Sequence, residues 1–296
     1  MKLINKDQIV ATFSIVGFDP KTKELGIAVQ SKFLGVGAVV PWAKAGVGAV
    51  ATQSFANTSY GPKGLELMAN GKSAQETMDI LVEEDDEKQS RQVGIVDANG
   101  NSATFTGSDC YDWAGGIAGP NFAAQGNILV SAKTVESMAG TFNNCEGELS
   151  ERLLSALDAG QNAGGDSRGK QSAALLIVKE QGGYGGFNDR YIDLRVDDHP
   201  EPIKELIRLH KLQQLYFSKT KANHILGIKG EIKEQLISIL SQLGYLSTKE
   251  VSDEQLNRAF KTFIHTENFE ERDLGAGKID KEVLEFMKSL IKINRH

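Results

Sequence analysis

The stretch Ala163-Gly164-Gly165-Asp166-Ser167-Arg168-Gly169-Lys170-Gln171-Ser172 runs straight into the apolar segment Ala173–Val178, and its reading decides the fold. Gly164 and Gly165 permit a tight turn and a close approach to another group. Asp166, Arg168 and Lys170 then set three charges just before a segment that must be buried. Charges at the mouth of a buried strand are costly to desolvate unless they pair or meet a ligand. The plain alternative is a charged helix-to-strand loop in which Asp166 and Arg168 form a mutual salt bridge. A second element shifts the balance: Thr12–Phe18, the first strand, also begins with hydroxyls at a buried end. A sheet that brings the two together makes a site.

Outward from that loop, the chain reads as strands, then helices, then strands again. Thr12–Phe18 is β-branched and aromatic, with Thr12, Ser14 and Val16 on one face and Phe13 and Ile15 on the other. Asp19–Lys23 is turn chemistry, and Leu25–Gln30 returns to deliver Ser31 and Lys32. Val36–Val40 and Val47–Thr52 read as two further strands split by Pro41–Gly46. Helices follow at Pro62–Ala69 and Ala74–Glu83, the second opened by a Ser73/Glu76 capping box. Gln92–Asp97 and Ser102–Thr106 form a hairpin, and Phe122–Gln125 a short strand ending at Gly126-Asn127. Helices Thr134–Phe142 and Leu149–Ala159 lead into the glycine loop. Beyond it, Ala173–Val178 and Tyr191–Val196 flank Gly182–Gly186, which lacks the Gly-Lys-Ser/Thr of a phosphate loop and reads as a hairpin tip. Pro202–Ser218 is a long amphipathic helix. This order fits an α+β chain with two mixed sheets face to face and helices outside, a four-layer αββα sandwich.

After Pro200 the style changes. Ile228–Leu243, Asp253–Phe263 and Lys281–Ile291 are helical patterns without a strand, so the reading is a small all-α domain over 222–296, after a sandwich over 12–221 and an N-terminal extension over 1–11. With 296 residues, 40% hydrophobic and 24% charged, the composition is that of an ordinary globular protein. A net charge of −6 argues against nucleic-acid and anionic-membrane partners, and no apolar run is long enough to cross a bilayer. Residues 1–11 contain Asn5, Asp7 and Gln8 and make no signal peptide, which together with only two cysteines, Cys110 and Cys145, points to the cytoplasm.

The separated blocks Thr12–Val16, Gly35–Gln53 ending Gly48-Ala-Val-Ala-Thr-Gln53, Gln125-Gly126-Asn127 and Gly164–Ser172 together resemble the DUF1028 family. That family resembles N-terminal-nucleophile hydrolases in fold, which again implies an αββα sandwich. The tail, through Leu243-Gly244-Tyr245 and Ala259–Phe263, resembles a peptidoglycan-binding type of domain. The resemblance implies Thr12 as nucleophile, its own freed α-amine as base, and backbone or side-chain amides as holders of the oxyanion. Here eleven residues precede Thr12, so either Ala11–Thr12 is cleaved or that amine is never free. A desolvated Lys32 is the fallback base. Gln53, Asn57, Gln125 and Asn127 are amides at strand ends or loops, suited either to a polar substrate or to capping the loops themselves. Asp166 and Arg168 are suited either to clamp a zwitterionic or amide ligand, the planar guanidinium fork matching a carboxylate, or to pair with each other.

No metal is expected. Adjacent residues of Asp197-Asp198-His199 point opposite ways along a strand exit, and the five histidines show no ligand spacing. The expected activity is cofactor-free hydrolysis of an amide bond in a small polar molecule. The alternative is a non-catalytic ligand-binding relative with the same sandwich. The oligomeric state stays open, homo-oligomer included, and the tail is expected to bind glycan or protein.

Overall fold

The computed structural model describes residues 12–247 and 251–293. The expected N-terminal extension over residues 1–11 lies outside the described residues. The chain divides into two compact units between Leu209 and His210, inside a helix rather than after Lys221.

The first unit runs β1 (Thr12–Phe18), β2 (Leu25–Ser31), β3 (Pro41–Lys44), β4 (Gly48–Ser54), α1 (Tyr60–Ala69) and α2 (Ala74–Glu83). It continues with β5 (Arg91–Asp97), β6 (Ser102–Thr106), β7 (Gly115–Gly119), β8 (Phe122–Gly126), α3 (Lys133–Asn144) and α4 (Leu149–Asn162). β9 (Ser172–Val178), β10 (Arg190–Val196) and α5 (Pro202–Phe217) follow, the last of them crossing the division. Six strands pair in the order β10-β9-β2-β1-β8-β7 and four in the order β3-β4-β5-β6. The expected mixture of strand directions is absent, for every pair in both sheets is antiparallel.

Alternation along each strand divides the side chains into three cores. Phe13, Ile15, Leu175 and Ile177 face Met138, Phe142, Leu153 and Leu157 of α3 and α4. On their opposite face, Val16, Ile27, Val29 and Leu176 meet Ala49, Ala51 and Val96 of the four-stranded sheet. That sheet's outer residues Val50, Val93 and Ile95 pack on Tyr60, Met68, Met78 and Leu81 of α1 and α2. The layers are therefore helix, sheet, sheet, helix. Each fully buried aliphatic or aromatic side chain contributes roughly 1.5–3 kcal/mol. The Ser73/Glu76 capping box forms as the sequence predicts and starts α2.

Three expectations of local structure need correction. Val36–Val40 is not a strand: Val36–Ala38 forms a 3-10 turn whose entry is held by the Ser172 hydroxyl, which accepts from Val36 N at 3.1 Å. A short apolar run does not by itself distinguish strand from turn. Pro41–Lys44, expected as a break, is β3 at a sheet edge, where a leading proline lacks only an N–H the ladder does not need. β7 was not expected at all, its three glycines in five residues giving no strand signal.

The second unit holds β11 (Ile225–Gly227), α6 (Glu231–Gln242), α7 (Asp253–Thr266), β12 (Lys278–Asp280) and α8 (Lys281–Ile293). Among the described residues the strand-free expectation fails at β11 and β12, a ladder of three residue pairs, too short to leave a period in the sequence. Leu236, Leu240, Phe260, Phe263, Phe269, Val283 and Met287 form its core, with the Tyr216 ring stacked on Phe269 at 5.0 Å. Arg272 is buried in this unit. It pairs with Asp280 at 2.6 Å and donates to the last carbonyls of α5, those of Gln214 and Leu215.

Candidate functional site

Four strands turn polar at the same end. Along the faces turned to the inter-sheet space, Val16 gives way to Ser14 and Thr12, and Ala123 to Gln125 and Asn127. On the facing sheet Ala49 and Ala51 give way to Gln53, and Val96 to Gly94 and Gln92. Thr12, Ser14, Gln53, Gln92, Gln125 and Asn127 are all fully buried. A buried polar group without a partner costs about 1–3 kcal/mol, so such a layer survives only by bonding within itself.

It does so mainly through amides. Ser14 Oγ donates to Gln53 Oε1 at 2.6 Å and accepts from Gln125 Nε2 at 2.7 Å. Gln53 Nε2 donates to the Thr12 carbonyl at 3.2 Å and to Gln92 Oε1 at 2.8 Å. Asn127 Nδ2 donates to Gln92 Oε1 at 2.8 Å, while its backbone N–H reaches the Thr12 carbonyl at 3.0 Å. The Thr12 carbonyl is thus held from both sheets. Gly94 makes the close approach possible, since a Cβ there would lie 2.1 Å from Gln125 Oε1. Two acceptors, Gln125 Oε1 and Asn127 Oδ1, have no partner among the described residues.

The ladder sets Thr12 opposite Ser31 of β2, and Ser31 opposite Ser172 of β9, a row of three buried hydroxyls. The glycine loop closes this end. Asp166 Oδ2 accepts from Lys32 N at 3.1 Å, just past β2, and Asp166 bridges to Leu129, just past β8. β1 lies between those two strands, so the loop spans the place where β1 begins. The turn needs glycine at 165, where φ is +63° and a Cβ would press on Gln161 Nε2 at 2.7 Å. Asp166 and Arg168 form the mutual salt bridge: Arg168 Nε reaches Oδ1 at 3.2 Å and Nη2 reaches Oδ2 at 3.0 Å. The carboxylate is buried, whereas the Arg168 side chain keeps 34% of its surface in solvent.

Of the residues singled out from sequence, Thr12, Gln53, Gln125 and Asn127 share this layer and Asp166 and Arg168 close it. Two do not belong. Lys32 contributes only its backbone N–H; its side chain is exposed, so the desolvation on which its role as a base depended is absent. Asn57 is drawn elsewhere by its own turn. Its Oδ1 accepts from Ser59 N and Oγ at the start of α1, and its Nδ2 donates to Asp85 at 2.9 Å. There Tyr60 OH and Arg91 Nε also donate to Asp85, at 2.9 and 3.0 Å, beside a cavity of about 410 Å³. Burial alone would raise Asp85, but Arg91, Asn57, the Glu87 N–H and Tyr60 outweigh it and hold the carboxyl well below the usual range. Burial, and then Asp85 itself, push the Tyr60 phenol up.

Gln92, Ser31 and Ser172 were not singled out. The signal for Gln92 is its register, directly opposite Gln53. Among the described residues no group of three or more His, Cys, Asp or Glu side chains gathers as metal ligands would. Burial pushes the Cys110 thiol up, away from the reactive thiolate.

Residues 216–287 match the model of a family described as "Putative peptidoglycan binding domain". No curated protein matches the chain. The crystal structure of a Silicibacter pomeroyi protein of the DUF1028 family is similar to it, with a TM-score of 0.63 and 28% sequence identity over 75% of this chain and 92% of that one. Residues 12–206 match the model described as "Family of unknown function (DUF1028)", a match that starts at the same threonine that opens β1. On that match and that structural likeness, the chain belongs to the DUF1028 family.

Proposed function

We propose that the first unit is a cofactor-free amide hydrolase of the N-terminal-nucleophile type, with Thr12 as nucleophile. The observation that carries the reading is the placement of Thr12. It heads β1, is fully buried, has its carbonyl held by Gln53 and Asn127, and is capped by the Asp166–Arg168 loop. Cleavage of the Ala11–Thr12 bond would free an α-amine with an ordinary pKa near 8, basic enough to take the Oγ proton at neutral pH. Oγ then attacks the substrate carbonyl, the amine passes its proton to the departing nitrogen, and water hydrolyses the resulting ester. With Ala11 still attached the nitrogen of Thr12 is an amide and has no basic lone pair.

The exposure of Lys32 favours one second reading in the uncleaved chain, because among the described residues no buried lysine stands ready as a substitute base. In that state the polar layer serves as a ligand-binding pocket without turnover. Intact mass and N-terminal sequencing, run beside an amide-substrate screen of wild type and Thr12→Ala, separate the two. A new terminus at Thr12 together with turnover that Thr12→Ala abolishes is the expected result. Turnover by a fully intact chain, unaffected by Thr12→Ala, would overturn the mechanism; an intact chain with no turnover supports the binding reading.

For the second unit, the family match supports a glycan as ligand. Full-length chain should cosediment with purified peptidoglycan; failure to do so moves the proposal to a protein partner.

A further inference from the structure

Five hydrogen bonds converge on Gln92. Its Oε1 accepts from Gln53 Nε2 and Asn127 Nδ2, both at 2.8 Å, which fills both lone pairs. Its Nε2 faces the Gly126 carbonyl at 2.8 Å, Thr106 Oγ1 at 2.9 Å and the Gly115 carbonyl at 3.3 Å. Turning the amide over would set oxygen against two carbonyls and NH₂ against two NH₂ groups. Its orientation is therefore fixed, and it fixes its neighbours. Asn127 gives one Nδ2 hydrogen to Gln92, which fixes the orientation of its amide and leaves the acceptor Oδ1 buried and without a partner among the described residues.

We infer that Gln92 is a positioning residue that fixes the Asn127 amide so that its acceptor Oδ1 is the atom offered to a ligand. The ligand that suits this layer carries an N–H: a primary or secondary amide, as opposed to a tertiary amide. The role of Asn127 is then to hold the nitrogen side of the scissile bond through Oδ1. The inference rests on the reading of Thr12 as nucleophile.

The test uses full-length protein and two substrates, a secondary anilide and its N-methyl counterpart, with a β-lactone probe whose acylation site is located by peptide mass. Sites built to bond a substrate N–H discriminate strongly against analogues lacking it, so wild type should favour the anilide in kcat/KM by at least about ten-fold. Gln92→Met should erase that preference by lowering turnover of the anilide alone. Val93→Ala, a buried change on the opposite face of β5, should lower the Tm and keep the preference. A merely structural Gln92 would leave the substrate ratio untouched. Equal turnover of both substrates by wild type overturns the inference even if Gln92→Met does not fold, as does a Gln92→Met that keeps the ratio. Failure of the lactone to label Thr12 in wild type overturns the nucleophile reading and this inference with it; labelling at Thr12 with equal turnover overturns only the inference.

Discussion

The space between the two sheets has two halves that differ in nearly everything but burial. In one, Val16, Ile27 and Val29 meet Ala49, Ala51 and Val96. In the other, Thr12, Ser14, Gln125 and Asn127 meet Gln53 and Gln92. Apolar residues of similar shape in place of all the amides would be close to neutral in stability, since a buried hydrogen-bonded pair nets little. The polar half is thus an inefficient way to join two sheets, and a good way to hold one carbonyl in one place. The apolar half supplies cohesion, the polar half geometry.

The comparison breaks most visibly if the two halves can be damaged independently. Ile27→Ala should cost about 2–5 kcal/mol through lost burial and the cavity left behind, while turnover per folded molecule stays unchanged; urea unfolding beside an activity assay checks both. Gln53→Leu should cost about 1–3 kcal/mol, because it leaves the Ser14 O–H without its acceptor, and it should lower turnover sharply by leaving the Thr12 carbonyl held by the Asn127 N–H alone. Should Gln53→Leu keep full activity, the polar half is packing and no more.

Titration sharpens the contrast further. The amides of the layer do not titrate, whereas Asp85 does. Its folded pKa lies below its unfolded value near 4, so its stabilisation is complete above about pH 4 and fades as the pH falls below that toward the folded value. The Tm difference between wild type and Asp85→Asn should accordingly be largest near pH 6 and shrink by pH 3. For Gln53→Leu the difference should hold constant over the same range. The smallest effect belongs to Arg168→Ala, about 1 kcal/mol or less, since the guanidinium is a third exposed and Asp166 keeps the Lys32 and Arg168 backbone N–H groups. A drop of several kcal/mol in thermal unfolding would make the pair structural.

How legible this was depended on the range of the signal. Period-two alternation put Thr12, Ser14 and Val16 on one face correctly, because a strand's two faces are a local property. The helix starts at Ser73 and Leu149 were local too. Gln92 was not legible: one glutamine at a strand start is unremarkable until register sets it opposite Gln53, and register is decided by partners far along the chain. Asn57 misled for the opposite reason, its side chain being claimed by a turn two residues away. Lys32 follows the buried Ser31, yet one step beyond the last strand residue its side chain is in solvent. Whether such a residue is desolvated depends on what covers the sheet's end, which the sequence around it does not encode.

The division inside α5 has a consequence for how this chain can be recombined. Ile203 and Leu206 belong to the core of the first unit, but Leu215 and Tyr216 belong to that of the second, whose Arg272 binds the helix's last carbonyls. A loop is the customary place to splice one module onto another, and the segment after Phe217 looks like one. A cut there would strand Leu215 and Tyr216 on the wrong fragment, stripped of Phe269 and of the guanidinium that ends their helix. The structural seam lies between Leu209 and His210, mid-helix, so a transplanted C-terminal module must bring the last two turns of α5 with it.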